Sequence, residues 1–333
     1  MKADILRKHH SFRSQSLGAY LMLGIILIVN IILQGSTFLN TSTINSVFLV
    51  NTPLILATIA QAVVIFAGGI DLSIGAVLSV VNAFAITAGT HVPLAVAWLG
   101  AFLIAVLAGA VKGYVIAYLK VPAILATFAL TYILEGTALL ILPRPGGLVP
   151  SSVYQIYGGS ILKFIPVSAV IVAVVICLYI LVEKRNLGIQ IKAAGAAPRS
   201  LFIAGLPVEK TKMKAYIISG AVTGLSGLCL TALASSGDST IGNEMSLNTI
   251  AAAILGGISL NGGIGTVGGA AAGALFLGIV KNMINFIFNH LVSASTVLGM
   301  KISNVQSLLT NVIVILGLCS TLLTDLKKRG RKG

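Results

Sequence analysis

Apolar residues in this chain fall into long runs separated by short polar breaks. Counting the runs places spans at residues 17–33, 44–67, 72–88, 92–119 and 121–142. A second set lies at 161–182, 215–234, 247–258, 266–288 and 305–323. A helix of about twenty residues crosses the hydrocarbon core of a bilayer, whereas a barrel strand would alternate over about ten. The pattern therefore predicts an all-α, polytopic helical membrane protein of about ten transmembrane segments, with 247–258 short for a full crossing. Residues 1–333 read as a single transmembrane domain.

Two of the breaks resemble each other. "GGIDLSIGAVLSV" at 68–80 and "GGISLNGGIGTVGGA" at 256–270 both combine GGI, a polar residue, leucine and a glycine-spaced apolar run. Glycine-interrupted segments in corresponding positions of two halves point to broken helices near a translocation path, the alternative being ordinary turns between spans. Irregular backbone at membrane depth must be shielded by protein or face a water-filled cavity. Asp71 in the first break is placed to cap a helix starting at Leu72 and to complement its dipole. GxxxG spacing at Gly109/Gly113, Gly220/Gly224 and Gly269/Gly273 predicts close helix–helix approach.

Charge sets the orientation. Of 333 residues, 57% are hydrophobic and 9% charged, the mean hydropathy is +1.03 and the net charge is +14. Sixteen of the 22 basic residues lie in three segments: the N-terminus to Arg13, the stretch 183–214, and the tail from Asp325. That distribution follows the positive-inside rule and argues against nucleic acid as the partner of the basic charge. With both termini cytoplasmic, ten crossings place all three basic segments inside, where they also attract anionic lipid headgroups. Residues 143–160 and 235–245 then fall outside. The basic N-terminal stretch leads into a long apolar run with no small-residue cleavage site, which reads as an uncleaved first span.

Little in the chain suggests enzymatic chemistry. Cys177, Cys229 and Cys319 lie in apolar runs without CxxC spacing, as small buried hydrophobes do, so neither a disulfide framework nor a metal site is expected. "GLSG" at 224–227 matches an intramembrane serine-protease motif only superficially, and nothing around His290 recommends it as a base. HExxH and phosphate-binding loops are absent, so ATP chemistry would belong to another chain. Three acids stand in or near apolar runs: Asp71, Glu135 and Glu244. A carboxylate at the bilayer centre costs about 2.5–3.5 kcal/mol on insertion scales, so these face a bundle interior, a partner or an interface. Glu135, mid-run in "TYILEGTAL", is expected to pair with Lys112 or another cation, or to line a polar path; Glu244 stands at a span entrance.

The segment 183–214 contains a small-residue stretch, an apolar turn and Gly205-Leu206-Pro207 among seven basic and two acidic residues. It reads either as a membrane-surface helix or as a short helix offered to a cytosolic partner's groove and ended by Gly and Pro.

"GGIDLSIGA", "LGIQIKAAGAAPRSLFIAGLPVEKTK" and "NEMSLNTIAAAILGGISLNGGIGTVGGAAAGALFLGIVKNMIN" together resemble the permease subunits of monosaccharide ABC importers, of which the ribose permease is the best-known type. The resemblance implies a pore-forming subunit without cofactor or catalytic residues, in a bacterial inner membrane. Its partners would be a second permease chain (the same or a paralogue), two cytosolic ATP-binding subunits or one fused ATPase, and an extracytoplasmic sugar-binding protein. By that matching, Gly68, Gly69, Asp71, Ser73, Glu244, Gly256, Gly257, Asn261 and Gly262 fall on signature positions along the translocation path. Ala194, Gly195, Gly205, Leu206 and Pro207 shape a coupling loop within 183–214. Lys112 and Glu135 depart from the family pattern, which commonly has Asn and Arg there, and would suit one member of a non-identical pair. The competing expectation is a secondary transporter using Asp71 or Glu135 as a coupling-ion site.

Overall fold

The computed structural model describes residues 2–162, 164–292 and 312, with the side chains of 2–16 and 288–292 left aside. The expected span 305–323 (apart from Val312), Cys319 and the basic tail lie outside the described residues. Among the described residues the chain is helical: α1 Lys2–Gln34, α2 Thr41–Phe66, α3 Ile74–Ala88, α4 Leu94–Ala117, α5 Ala123–Ile141, α6 Ser151–Tyr157, α7 Val167–Lys184, α8 Asn186–Ala196, α9 Pro198–Ile203, α10 Val208–Ala234, α11 Met245–Leu255 and α12 Val267–Val292. Seven of these are long and apolar enough to cross a membrane, while α3 and α11 are shorter apolar helices. The nine expected spans that fall on described residues all correspond to helices, and the tenth, apart from Val312, lies outside the described residues.

α2 occupies the centre. Every residue from Asn51 to Phe66 is buried, as expected for a helix apolar on all sides. α7, α8, α10, α11 and α12 pack around it, while α4 packs on α3 and α10, and α5 on α3 and α4. The contact between α4 and α10 follows the glycine spacing: a Cβ added at Gly109 would lie 2.9 Å from Gly220 Cα, and one added at Gly220 would lie 3.0 Å from Gly109 Cα. Gly256 meets Gly269 and Gly273 meets Ala252 in the same way, joining α11 to α12.

One end of the bundle is clamped by irregular structure. Strand β1 (Gly146–Leu148) pairs antiparallel with β4 (Ser236–Gly237), and β2 (Ser160–Ile161) with β3 (Ile165–Pro166). The span expected from residue 161 therefore begins only at Val167, because Pro166 ends a hairpin there. Pro53 inside α2 has no N–H to give the carbonyl four residues back, at Leu49. The Tyr157 hydroxyl takes that place, donating to Leu49 O at 2.9 Å, and burial pushes its phenol above the ordinary tyrosine range. Asn45 donates to Gly158 O at 2.7 Å beside it. The opposite end of α2, at Phe66, carries the first glycine break and the α8–α9 segment.

α10 starts at Val208, seven residues before the expected span. The lysines that lower the hydropathy of 208–214 are good helix formers, so polarity changes while the backbone continues.

Candidate functional site

Between α2 and α3 the chain runs without helix from Ala67 to Ser73, yet several of its backbone polar groups find partners. Gly68 N and Gly69 N donate back to Ile65 O (2.9 Å) and Val64 O (3.0 Å). Gly68 holds φ +82°, which a side chain would strain. Thr127 of α5 donates to Ile70 O at 3.3 Å and accepts from Leu72 N at 3.1 Å. The fully buried Gln61 side chain, oriented to satisfy both its amide atoms, donates to Asp71 O at 3.0 Å and accepts from Asp71 N at 3.2 Å. Gly75 N reaches Ser246 Oγ of α11 at 2.9 Å. Buried backbone of this kind survives only when its donors and acceptors are matched, and here α2, α5 and α11 supply the partners.

The Asp71 side chain shapes the break from inside. Its Oδ1 accepts from Ser73 N at 2.8 Å and Ser73 Oγ at 2.7 Å. The helix begins at Ile74 rather than Leu72, so Asp71 organises the turn before the helix and does not cap it directly. Its Oδ2 pairs with Lys112 Nζ of α4 at 2.6 Å, and the two side chains are 0% and 1% exposed. Lys112 is therefore the partner of Asp71, and the expected Glu135–Lys112 pair does not form. Glu135 is half-buried on α5 and makes no hydrogen bond or ion pair among the described residues. Sequence spacing could not separate the two because orientation around α4 decides which acid Lys112 faces.

The second break runs from Gly256 to Thr266, between α11 and α12, and closes on the first. Gly263 N donates to Phe66 O at 3.1 Å, satisfying a terminal carbonyl of α2. A Cβ added at Gly262 would lie 3.0 Å from Gly195 Cα and 3.1 Å from Gly68 Cα. A Cβ added at Gly195 would collide with Phe66 O and lie 2.7 Å from Gly68 N. Gly68, Gly195 and Gly262 thus form one backbone junction where both breaks touch α8. Lys192, one turn back on α8, pairs with Glu183 at the end of α7. It also donates to Gly265 O at 3.0 Å and lies 5.1 Å over the Phe66 ring. Sequence reading missed Lys192 because it is one of seven basic residues in its segment and nothing local distinguishes it.

The remaining expected positions divide. Gly69 faces the Tyr216 hydroxyl of α10, Gly256 packs on α12, and Gly257 turns the chain out of α11. Asn261 lies beside the junction but is exposed. Ala194 lies on the buried face of α8. Gly205, Leu206 and Pro207 form the turn that ends α9, with Gly205 N bonded to Phe202 O and Leu206 N to Leu201 O. Phe202 and Ile203 at the tip of α9 are 72% and 76% exposed, whereas Leu201 is buried. Glu244 is not part of this assembly. It precedes α11 and is exposed, eleven residues before Leu255 and so about 16 Å along the helix axis from the junction end.

Comparison with known proteins identifies the family of the chain. Residues 43–318 match the family model described as branched-chain amino acid transport system / permease component. The chain belongs to this permease family. A probable ABC transporter permease of Sinorhizobium fredii is 32% identical over 248 residues, 71% of this chain and 72% of the relative. A ribose import permease of Haemophilus influenzae is 30% identical over 238 residues, 70% of this chain and 74% of the relative. An L-arabinose ABC transporter permease of Azospirillum brasilense is 30% identical over 225 residues, 66% of each chain. No solved structure matches.

In the multi-pass permease Cys229 is buried as expected, whereas Cys177 is exposed, and the His290 side chain lies outside the described residues. Ser226 of the "GLSG" stretch is fully buried and donates to Pro53 O at 2.6 Å, so its hydroxyl is engaged in packing α10 on α2. Among the described residues no group of three His, Cys, Asp or Glu could share a metal ion. At the junction end, a cavity of about 400 Å³ lies between Gly68–Gly69, the α4–α5 turn with Lys120, and the first turns of α10 with Glu209 and Lys212.

Proposed function

We propose that this chain is the pore-forming permease subunit of an ATP-binding-cassette importer that moves a monosaccharide, a ribose-like pentose or a hexose. The relatives named as ribose and arabinose permeases support the substrate class. The observation that carries the mechanism is the insertion of Gly195 between the two breaks. In the proposed assembly two permease chains, identical or paralogous, sit in a bacterial inner membrane with both termini cytoplasmic. A sugar-binding protein docks on the α6 and hairpin end, and two ATP-binding subunits or one fused ATPase dock on the α8–α9 end. The chain itself hydrolyses nothing.

Residues 183–214 act as the coupling loop. The exposed apolar tip at Phe202 and Ile203 fits a groove on the ATPase, with the turn at Gly205, Leu206 and Pro207 fixing its angle. Because α8 touches both breaks, displacement of the tip tilts α2, α3, α11 and α12 against each other. Alternating access then arises from two packings of these helices, biased by nucleotide and by the loaded binding protein. Gly68, Gly69, Asp71, Ser73, Gly256, Gly257, Asn261 and Gly262 serve this movement, and Glu244 stands on the path. A coupling-ion role for Asp71 is disfavoured, since its carboxylate is already held by Lys112 and Ser73.

Reconstitution with the ATPase and the binding protein tests the reading. Uptake of labelled ribose or arabinose should require ATP on the loop side and vanish without the ATPase. Uptake that persists without the ATPase, driven by an ion gradient, would establish a secondary transporter instead. Purification of the complex with one permease species or two decides between identical and paralogous partners.

A further inference from the structure

α3 and α11 are too short to cross the bilayer, and they start beside one another. Gly75, at the start of α3, bonds Ser246 at the start of α11. A Cβ added at Gly75 would lie 2.9 Å from Ser246 Oγ. The segment between β4 and α11 runs down α3 from its outer part: Asp238 N donates to Asn82 Oδ1 at 2.7 Å, then Gly242 N to Ser79 Oγ at 3.0 Å. From Gly75 to the end of α3 at Ala88 is about 20 Å, and from Ser246 to the end of α11 at Leu255 about 13 Å. Both helices therefore start deep within the hydrocarbon region, whose full thickness is about 30 Å.

At that depth the chain presents a polar surface. Asn243 and Glu244 are exposed and Asn248, one turn on, is half-buried. None of their side chains has a hydrogen-bond partner among the described residues; the one bond between them is the helical Asn248 N to Glu244 O. Hydrocarbon does not solvate a carboxylate and two carboxamides, so this surface faces water or another chain. Its chemistry is that of a neutral polyol site: the carboxylate accepts from adjacent hydroxyls, and each amide both donates and accepts. A single negative charge without an ion-paired cation among the described residues suits an uncharged hydroxylated solute better than an anion.

We propose that Asn243, Glu244 and Asn248 form a ledge that holds the hydroxyl groups of the sugar as it passes mid-membrane. The inference rests on the importer reading and names the side chains that touch the cargo. The ledge reports on the junction through α11: its far end, at Gly256, lies in the break that α8 contacts. Movement of the loop helix therefore shifts the sugar contacts along a single eleven-residue helix.

The test uses the full complex of permease, ATPase and binding protein in proteoliposomes with labelled D-ribose or L-arabinose. Glu244→Ala and the double variant Asn243→Ala/Asn248→Ala should each lower the sugar moved per ATP hydrolysed at least fivefold. Glu244→Gln, which keeps an acceptor, should recover part of the loss. A ratio equal to that of the parent in Glu244→Ala and in the double variant would overturn the proposal. A second measurement avoids dependence on transport: Leu247→Cys, between these residues and 70% exposed, should react in the assembled complex with a charged, membrane-impermeant thiol reagent, and added sugar should slow the reaction. An unreactive cysteine places the surface against lipid or a dry partner and overturns it. Failure of the parent complex to move any sugar with ATP would refute the importer reading itself, which separates the two failures.

Discussion

Replacing Lys112 by Met removes the ammonium while keeping most of the side-chain volume that fills the space between α4 and the first break. In the parent, Lys112 Nζ and Asp71 Oδ2 are 2.6 Å apart and neither side chain is exposed beyond 1%. The bonds from Ser73 to Oδ1 survive the change, but Oδ2 loses the one partner it has among the described residues. Leaving a buried charge without its partner costs about 3–5 kcal/mol, whereas replacing both members by uncharged groups is often close to neutral. Lys112→Met and Asp71→Asn should therefore each destabilise the permease by about 3–5 kcal/mol, and the double variant by no more than about 2 kcal/mol. Unfolding free energies from dodecyl sulfate titration in mixed micelles complete the double-mutant cycle. A Lys112→Met variant within 1 kcal/mol of the parent, or a double variant as unstable as the sum of the singles, would refute the assignment of this pair as the anchor of the break.

Three further outcomes follow from the same contacts. Gly205→Ala with Pro207→Ala forces a side chain onto a residue at φ +74° and loosens the turn before α10; hydrolysis should lose its stimulation by the loaded binding protein while membrane insertion is unchanged, as ATPase assays and membrane fractionation would register. Phe202→Ser with Ile203→Ser should abolish co-purification of the ATPase without altering the permease's own melting temperature, because both side chains are exposed in the single chain. Tyr157→Phe leaves the carbonyl freed by Pro53 without a donor and should lower stability by about 1–3 kcal/mol in the same dodecyl sulfate titration.

Much of the architecture was legible because membrane helices write themselves as long apolar runs, and nine of ten expected spans coincide with described helices. The glycine breaks were legible too, since few side chains tolerate the backbone they adopt. What stayed hidden was long-range. Gly68, Gly195 and Gly262 meet only in space: each was singled out in its own segment, but nothing local shows that the three touch. Lys112 was visible as one possible partner of Glu135, but its choice of Asp71 depends on helix rotation. Glu244 was read at a span entrance and does stand immediately before α11; that α11 starts beside the first turn of α3 has no local signal, because the contact between Gly75 and Ser246 joins residues far apart in the chain. The early start of α10 was obscured by lysines that keep the helix while leaving the membrane.

The central claim, that α8 drives both breaks through the three-glycine junction, is tested most directly by Gly195→Ala in the reconstituted importer. The added methyl group would collide with Phe66 O at the end of α2. The account predicts that the ATPase still assembles with the permease, that the sugar-loaded binding protein no longer stimulates hydrolysis, and that uptake falls at least tenfold. Uptake at the parent rate with stimulated hydrolysis intact would contradict it.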